Sequence, residues 1–486
     1  MIYKLRPYQE ECVKSISDYI NSDRHDPVLI VGPVGCGKSL LIAEAARLMG
    51  DKTLILQPSK ELLQQNHDKI TSYGIPATIY SASCGKKELS NMIYATLGSI
   101  KKVVDKLKEM GIRNVLIDEA HAGYSPEDGS EFMTFMNELK PKKMIGFTAT
   151  PCRLKNMSIG QTSYSQLNFI TRMRPVYFKN LIHVIQVEEM IRQGFWTPLK
   201  YETWDFNGDA LKLNSNGSEY TAESISEAVR KNGLNNLILR RLMVLKDVCR
   251  SILVFMDSVE SCNTAAEWMN AKICAGMAEA VHGGTPKKQR EAIVERFKSG
   301  KTKVVFNYSA LGTGFDHPGL DCVIVGRPTF SFSSFYQWLG RAVRIKDGKG
   351  SALVVDCCNN SSRFGDIRKL SIENYKGYGW GMFIGDRLIT NIPMGDKVTK
   401  TDLDIKAAKK DRRRGLAQGI TASPVPGRPD HPLGSTLMTF GKYCGWMLHS
   451  IPVSYFKFIN ETFDWDNDRN KDIKEYIDFL IKNNRL

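Results

Sequence analysis

Two short runs carry residue types whose spacing could do chemistry. The first is "GPVGCGKS", residues 32–39, which fits G-x-x-x-x-G-K-[ST] in full, with an apolar run before it and a helical pattern after it. Glycines at these spacings let backbone N–H groups turn inward around phosphate oxygens. Gly32, Gly35 and Gly37 are assigned to that cradle, Lys38 to the β- and γ-phosphates, and the Ser39 hydroxyl to Mg2+. The second run is "NVLIDEAH", residues 114–121, where an apolar strand pattern ends on two carboxylates. Parallel sheets place ligands at the C-terminal edge of their strands. Asp118 is therefore expected to hold the metal, and Glu119 to polarise an attacking water. With both runs present, the phosphate loop reads as half of an ATP-hydrolysing site.

The elements that must position these residues recur along the chain. "PVLIVGP", "KTLILQP", "NVLIDEA" and "MIGFTAT" are short β-type runs, each leading into a helical pattern, which predicts a parallel sheet flanked by helices through about residue 180. The rhythm restarts with "SILVFMD", "TKVVFNY", "DCVIVGR" and "SALVVD". The fold class is α/β, with two tandem parallel-sheet domains at 1–182 and 183–365. Between their strands, 207–220 ("NGDALKLNSNGSEY") is polar and reads as a surface excursion. A charged, basic extension is expected over 366–414, a Pro/Gly/Ser-rich linker over 415–432, and a small C-terminal α+β module over 433–486.

Composition narrows the class. Of 486 residues, 42% are hydrophobic and 24% charged, and no run reaches the 18 or so apolar residues of a membrane span. The N-terminus, "MIYKLRPYQEEC", is charged where a secretory signal is apolar, so a cytoplasmic protein is expected. Eleven cysteines include no CxxC pair, which points to dispersed buried thiols. The 67 basic and 52 acidic residues leave a net charge of +15, which favours a polyanionic partner.

Asp-Glu-Ala-His at 118–121 resembles the second motif of superfamily 2 helicases, and the rest of their series follows in order. "LRPYQ" (5–9) is similar to the adenine-reading segment, with Gln9 as the contact. "LILQPSKELLQQ" (54–65) and "YATLGSI" (94–100) resemble the first-domain motifs that hold a nucleic-acid strand. "GFTATP" (146–151) resembles the Thr-Ala-Thr motif that couples hydrolysis to movement. In the second domain, "ILVFMDSVE" (252–260) and "VHGGTPKKQR" (281–290) resemble strand-contacting segments, "NYSALGTGFDHP" (307–318) motif V, and "QWLGRAVR" (337–344) motif VI. The resemblance covers about residues 1–365 and implies two RecA-like domains. It assigns nucleotide contacts to Gly314 and Asp316, and coupling to His121, Thr148, Thr150 and Gln337. Phosphoryl transfer needs positive charge on its transition state. Arg341 and Arg344 lie in the second domain, so they reach the γ-phosphate only when the lobes close.

Within the superfamily, "TATP" followed by Arg153 and the run from Gly312 to Arg344 look most like the RadD/XPB-like group and phage branch-migration helicases. The cysteine-rich module of RadD-type relatives has no counterpart here. The resemblance implies ATP and Mg2+ as cofactors and single-stranded, forked or junction DNA as partner. It also implies a monomer that works with recombination or replication proteins in a bacterial or phage-infected cell. A double-stranded DNA translocase subunit of a restriction or defence complex, and an RNA helicase, are the alternatives. An idle nucleotide-toggled sensor is disfavoured by the intact Lys38, Asp118, Glu119, Arg341 and Arg344 set.

Three further stretches stay open between chemistry and architecture. "FGKYCGWMLHSIPVSYFKFI" (440–459) is similar to a small module at the ends of some phage and bacterial DNA enzymes. Its Lys442, Tyr443 and Trp446 suit gripping a strand, or the two aromatics fill a small core. "FSFSSFYQW" (330–338) reads as core rather than a base-stacking platform. The basic run Lys406–Arg414 either tracks phosphates or is a solvated face.

Overall fold

The computed structural model describes residues 4–407 and 431–486, apart from 51, 123, 125, 126, 128, 160, 161, 312–314 and 377 in the first stretch and 440–442, 444, 445, 452, 463, 464, 466–469, 484 and 485 in the second. The chain divides into two units, 1–375 with 379–398, and 376–378 with 399–486. The expected linker apart from its last two residues, the end of the basic run, Gly314 and Lys442 lie outside the described residues.

The first unit holds both parallel sheets. Val28–Val31 (β1), Thr53–Leu56 (β2), Thr78–Ser81 (β3), Lys86–Lys87 (β4), Met92–Ala95 (β5), Asn114–Ile117 (β6), Lys143–Thr148 (β7) and Asn180–Val184 (β10) form the first sheet, in the order β10-β1-β7-β6-β2-β5-β3-β4. Every pairing is parallel except β3 with β4. All four residues of β1, β2 and β5 are buried, as strands covered on both faces by helices must be. Cys152–Ile159 (β8) and Thr162–Phe169 (β9) form an antiparallel hairpin outside this sheet, directly after the Thr-Ala-Thr segment.

Leu199–Thr203 (β11), Ile252–Phe255 (β12), Ala278–His282 (β13), Val304–Tyr308 (β14), Cys322–Val325 (β15) and Ala352–Asp356 (β16) form an all-parallel second sheet, ordered β11-β16-β15-β12-β14-β13. The first lobe runs a little further than expected. Residue 183 falls inside β10, where His183 pairs with Ile30 and Val184 with Val31. Strand pairing carries the chain past the expected join, and the change of sheet comes between Val184 and Leu199.

Residues 366–398 are not an extension. Leu370–Tyr375 (β17), Gly379–Ile384 (β18) and Arg387–Leu388 (β19) pair antiparallel. Leu370, Ile372, Met382 and Ile384 join the apolar cluster that runs through both lobes. The alternation Leu370, Ile372 puts one face of β17 on that core, a period-2 signal too short to stand out in a charged stretch.

The second unit is helical among its described residues. Val453–Thr462 and Lys471–Lys482 pack Phe456, Ile459, Ile473, Tyr476, Ile477 and Leu480 around Met438, Leu448 and Ile451. Among those residues its β structure is the bridge between Leu437 and Met447, together with Thr399, the end of the short strand Val398–Thr399. Tyr443 and Trp446 lie edge to face, 5.5 Å apart, half-buried against this core, so packing accounts for much of their surface. In the first unit, Phe332, Phe335 and Tyr336 are fully buried, in agreement with the core reading of 330–338.

Candidate functional site

The phosphate loop takes its shape from two left-handed glycines, Gly35 and Gly37, each at φ +82°. Side chains rarely adopt that conformation, and a Cβ on Gly37 would stand 2.6 Å from Gln9 Nε2. The Gly32 N–H donates to Thr148 O at 3.0 Å, which ties the loop to the end of β7. Gln9 is buried: its Nε2 donates to Cys36 O at 2.9 Å and its Oε1 accepts from the Arg6 N–H at 3.0 Å. The Tyr8 hydroxyl donates to the same Cys36 carbonyl at 3.1 Å. The segment expected to read adenine is thus bonded to the loop and also lines the cavity. Beside it, the Arg6 guanidinium lies 4.7 Å over the Phe195 ring and supplies a flat wall.

Helix Lys38–Met49 has Gly37 at its N-cap and no side-chain cap, so its first N–H groups stay available to an anion. Lys38 Nζ lies 3.5 Å from Glu119 Oε1. Burial opposes the lysine's charge, yet Glu119, Cys36 and Asp118 outweigh it and hold its pKa above the ordinary value. Glu119 follows β6 with φ +47°, an uncommon conformation for a side-chain residue that turns its carboxylate into the cleft. Burial works to raise the Glu119 pKa, but Lys38, His121 and Arg341 bring it below the usual value, so it stays ionised. Asp118 moves the other way, held high first by burial and then by repulsion from Glu119. Two adjacent carboxylates with opposite shifts suit unlike roles.

The donor chemistry around Ser39 and Asp118 can be set against the metal expected there. Ser39 Oγ donates to Asn66 Oδ1 at 2.6 Å, and Asn66 Nδ2 donates to Asp118 Oδ2 at 3.0 Å and to Gln57 Oε1 at 3.1 Å. A hydroxyl and a carboxylate brought together through one amide form an all-oxygen set that fits Mg2+. Glu119 Oε2 is buried without a hydrogen-bond partner, facing His121 Nδ1 at 3.4 Å. Mg2+ would supply charge for the phosphates at Ser39 and Asp118; Glu119 would take the proton side of water activation.

The second lobe completes the cleft. Arg341 and Arg344 line the same cavity of about 440 Å3 as Lys38, Ser39, Asp118 and Glu119. Six cations (Lys4, Arg6, Lys38, Lys69, Arg341, Arg344) face three carboxylates (Asp118, Glu119, Asp316) there, an excess suited to a polyphosphate. Burial pulls both arginines down to about 10, so each remains charged at neutral pH. Arg341 Nη1 donates to Phe315 O at 2.6 Å, and Arg344 is ion-paired with Asp316. Their backbone is held by two residues that the motifs do not mark. Lys349 Nζ donates to Ala342 O, Arg344 O and Pro318 O at 2.7, 2.9 and 3.1 Å. Thr197 donates its N–H to Val343 O and its hydroxyl to Arg344 O, both at 2.7 Å.

The lobes touch through named contacts. Trp196 Nε1 donates to Val34 O in the phosphate loop at 2.7 Å. His121 Nδ1 lies 2.7 Å from Thr148 Oγ1, and the Thr150 N–H donates to that same oxygen at 3.0 Å. From lobe 2, it is Ser333 that meets His121 and Thr150, while Gln337, one turn further along the helix, lines the cleft. Motif reading missed Asn66, Trp196, Thr197, Ser333 and Lys349. Asn66 had a local signal: Leu62, Asn66, Lys69 and Tyr73 recur at helical spacing and all line the nucleotide cavity. Trp196, Thr197 and Ser333 carry none, since their partners are remote in sequence, and Lys349, five residues after Arg344, carries no periodic pattern that marks it.

The cleft is shared between two RecA-like lobes. Residues 2–153 match the family model described as "Type III restriction enzyme, res subunit", and 235–346 match "Helicase conserved C-terminal domain". The chain thus carries the paired domains found in superfamily 2 helicases. It is similar to a 51.5 kDa protein of Lactococcus phage (isolate 7-9), 25% identical over 68% of this chain and 65% of that one. It is also similar to the putative ATP-dependent helicase IRC3 of Saccharomyces cerevisiae, 23% identical over 57% of this chain and 38% of that one. The fold resembles that of the ATP-dependent Type ISP restriction-modification enzyme LlaBIII, solved bound to DNA, with TM-score 0.54, 14% identity, and coverage of 87% of this chain and 31% of that one. The chain therefore spans less than two thirds of the length of each. Among the described residues, no helix is long and apolar enough to cross a membrane.

Proposed function

We propose that the protein is an ATP- and Mg2+-dependent DNA motor of the helicase type that unwinds or remodels branched DNA, a fork or a four-way junction. The observation that carries this reading is the shared cavity, into which Lys38, Asp118 and Glu119 project from one lobe and Arg341 and Arg344 from the other. Backbone N–H groups at Gly35 and Gly37 cradle phosphates and Lys38 neutralises them. Ser39 and Asp118 would hold Mg2+, and Gln9, which lines the cavity, would face the base. Asp316 belongs to the same cleft through its ion pair with Arg344. Because the arginines come from lobe 2, nucleotide draws the lobes together and hydrolysis releases them.

A second cavity supports a strand-holding face on lobe 2. It measures about 360 Å3 and is lined by Phe255, Asn307, Ser309, Arg327, Gln337 and Trp338, among others. Arg327 Nε and Asn307 Nδ2 are buried there without a hydrogen-bond partner, and Trp338 stacks on Phe255 at 5.0 Å. Unpaired donors beside an aromatic face suit a phosphodiester and a base. Gln337 borders both cavities, which would let strand and nucleotide sense each other.

The test is ATP hydrolysis by the wild type and Lys38→Ala, with and without single strands, forks and four-way junctions. Lys38→Ala is expected to lose DNA-stimulated hydrolysis by about a hundredfold or more while DNA binding survives. Undiminished hydrolysis in that variant overturns the motor reading. The match of residues 2–153 to a restriction-subunit family favours one second reading, a duplex translocase serving a nuclease partner. Stimulation by linear duplex equal to that by junctions, with no strand separation, selects it.

A further inference from the structure

Ser333 stands where the two lobes exchange hydrogen bonds. Its Oγ is 3.2 Å from His121 Nε2 and 3.2 Å from Thr150 Oγ1, both on lobe 1. Ser333 itself is on lobe 2, in the first turn of helix Phe332–Leu339. Ser331 caps that helix by accepting from the Ser334 N–H at 3.2 Å, and the helix ends at Gly340, immediately before Arg341. At about 1.5 Å per residue, the eight-residue rod is about 12 Å long. A shift at its start therefore reaches the arginine at its end.

The proton arrangement gives this contact a direction. A hydroxyl has one proton, so with two partners Ser333 donates to one and accepts from the other. His121 Nδ1 faces Thr148 Oγ1 at 2.7 Å and Glu119 Oε2 at 3.4 Å. A proton on Nδ1 suits both neighbours, whereas a lone pair there would oppose the Glu119 carboxylate. Nε2 is then an acceptor. The Ser333 hydroxyl donates to it and accepts from the Thr150 hydroxyl, so each of these groups has a complementary partner. Removing Oγ leaves His121 Nε2 and the Thr150 hydroxyl without their lobe-2 partner, inside a closed interface.

We propose that Ser333 is the positioning residue that couples the two lobes, holding the start of the arginine-bearing helix to His121 and Thr150 so that rearrangement beside Glu119 is felt at Arg341. The inference rests on the motor reading above and adds to it the residue that carries the signal. Gln337 lies a turn further along and borders both cavities. Ser333 is set apart from it by contacting two lobe-1 groups through one atom.

The experiment compares wild type, Ser333→Ala and Ser333→Thr for ATP hydrolysis without nucleic acid, for hydrolysis with saturating forked DNA, and for affinity toward a fluorescent ATP analogue. Melting temperatures confirm that each variant is folded. Ser333→Ala is expected to bind the analogue within about twofold of wild type but to lose about tenfold of the DNA stimulation. Ser333→Thr, which keeps a hydroxyl on Cβ, is expected to restore most of it. Ser333→Ala stimulated as strongly as wild type overturns this inference alone. So does a proportional loss of basal and stimulated rates, which marks simple misplacement of the site. A wild type unresponsive to every DNA overturns the motor reading and this inference with it.

Discussion

The two lobes repeat one strand-and-helix rhythm yet treat the start of a buried helix in opposite ways. In lobe 1, β1 runs through two left-handed glycines into helix Lys38–Met49, whose N-terminus has no side-chain cap. In lobe 2, β12 runs into helix Val259–Lys272, and the Ser258 hydroxyl accepts from the Ser261 N–H at 3.0 Å. The cap satisfies one of the backbone donors that an anion would otherwise use. Lobe 1 therefore keeps its backbone charge for a ligand, while lobe 2 closes its own helix. What lobe 2 offers the shared cleft is side-chain charge, Arg341 and Arg344, held at the backbone by Lys349 and Thr197. On the proposed reading, ground-state binding would belong to the first lobe and transition-state charge to the second.

The sharpest way to break that division is Arg341→Ala. Loss of a transition-state cation is expected to cost about a thousandfold in kcat, with affinity for a fluorescent ATP analogue changed far less. If affinity falls in step with kcat, the second lobe binds ground state as well and the contrast fails. A middle-sized effect is expected from Asn66→Ala, which cuts the link between Ser39 and Asp118 inside lobe 1. The Mg2+ concentration for half-maximal hydrolysis, and for Mg2+-dependent nucleotide binding, should rise about tenfold. An unchanged Mg2+ requirement would mean that Asn66 only packs. The smallest effect is on the lobe-2 helix. Ser258→Ala is expected to remove about 1 kcal/mol of stability, read as a lower melting temperature with nucleotide affinity intact. A change in nucleotide affinity would show that the capped turn also serves the ligand.

Legibility in the sequence followed the range of the forces involved. "GPVGCGKS" and "NVLIDEAH" were readable because each carries strand, turn and functional group within eight residues. The core assignment of 330–338 held because an apolar, aromatic-rich helix can hardly be solvated. The β17–β19 sheet escaped notice because its short strands lie between charged and glycine-rich turns and its partner is the distant interlobe core. The lobe boundary slipped because β10 belongs to the first sheet only through its pairing with β1, about 150 residues earlier by the numbering.

The sequence alone determined the chemistry on offer: a phosphate loop, two carboxylates at a strand end, and arginines in a second α/β domain. These are local consequences of glycine conformations, strand burial and residue spacing. Only the tertiary structure decided which groups act together. It joined Asn66 to Ser39 and Asp118, brought Lys349 behind the arginines, and made Ser333 the lobe-2 partner of His121 and Thr150. Those pairings depend on hydrogen-bond distances of about 3 Å between segments up to 212 residues apart. No periodicity along a chain records such a distance; the packing of two sheets against one cleft creates it.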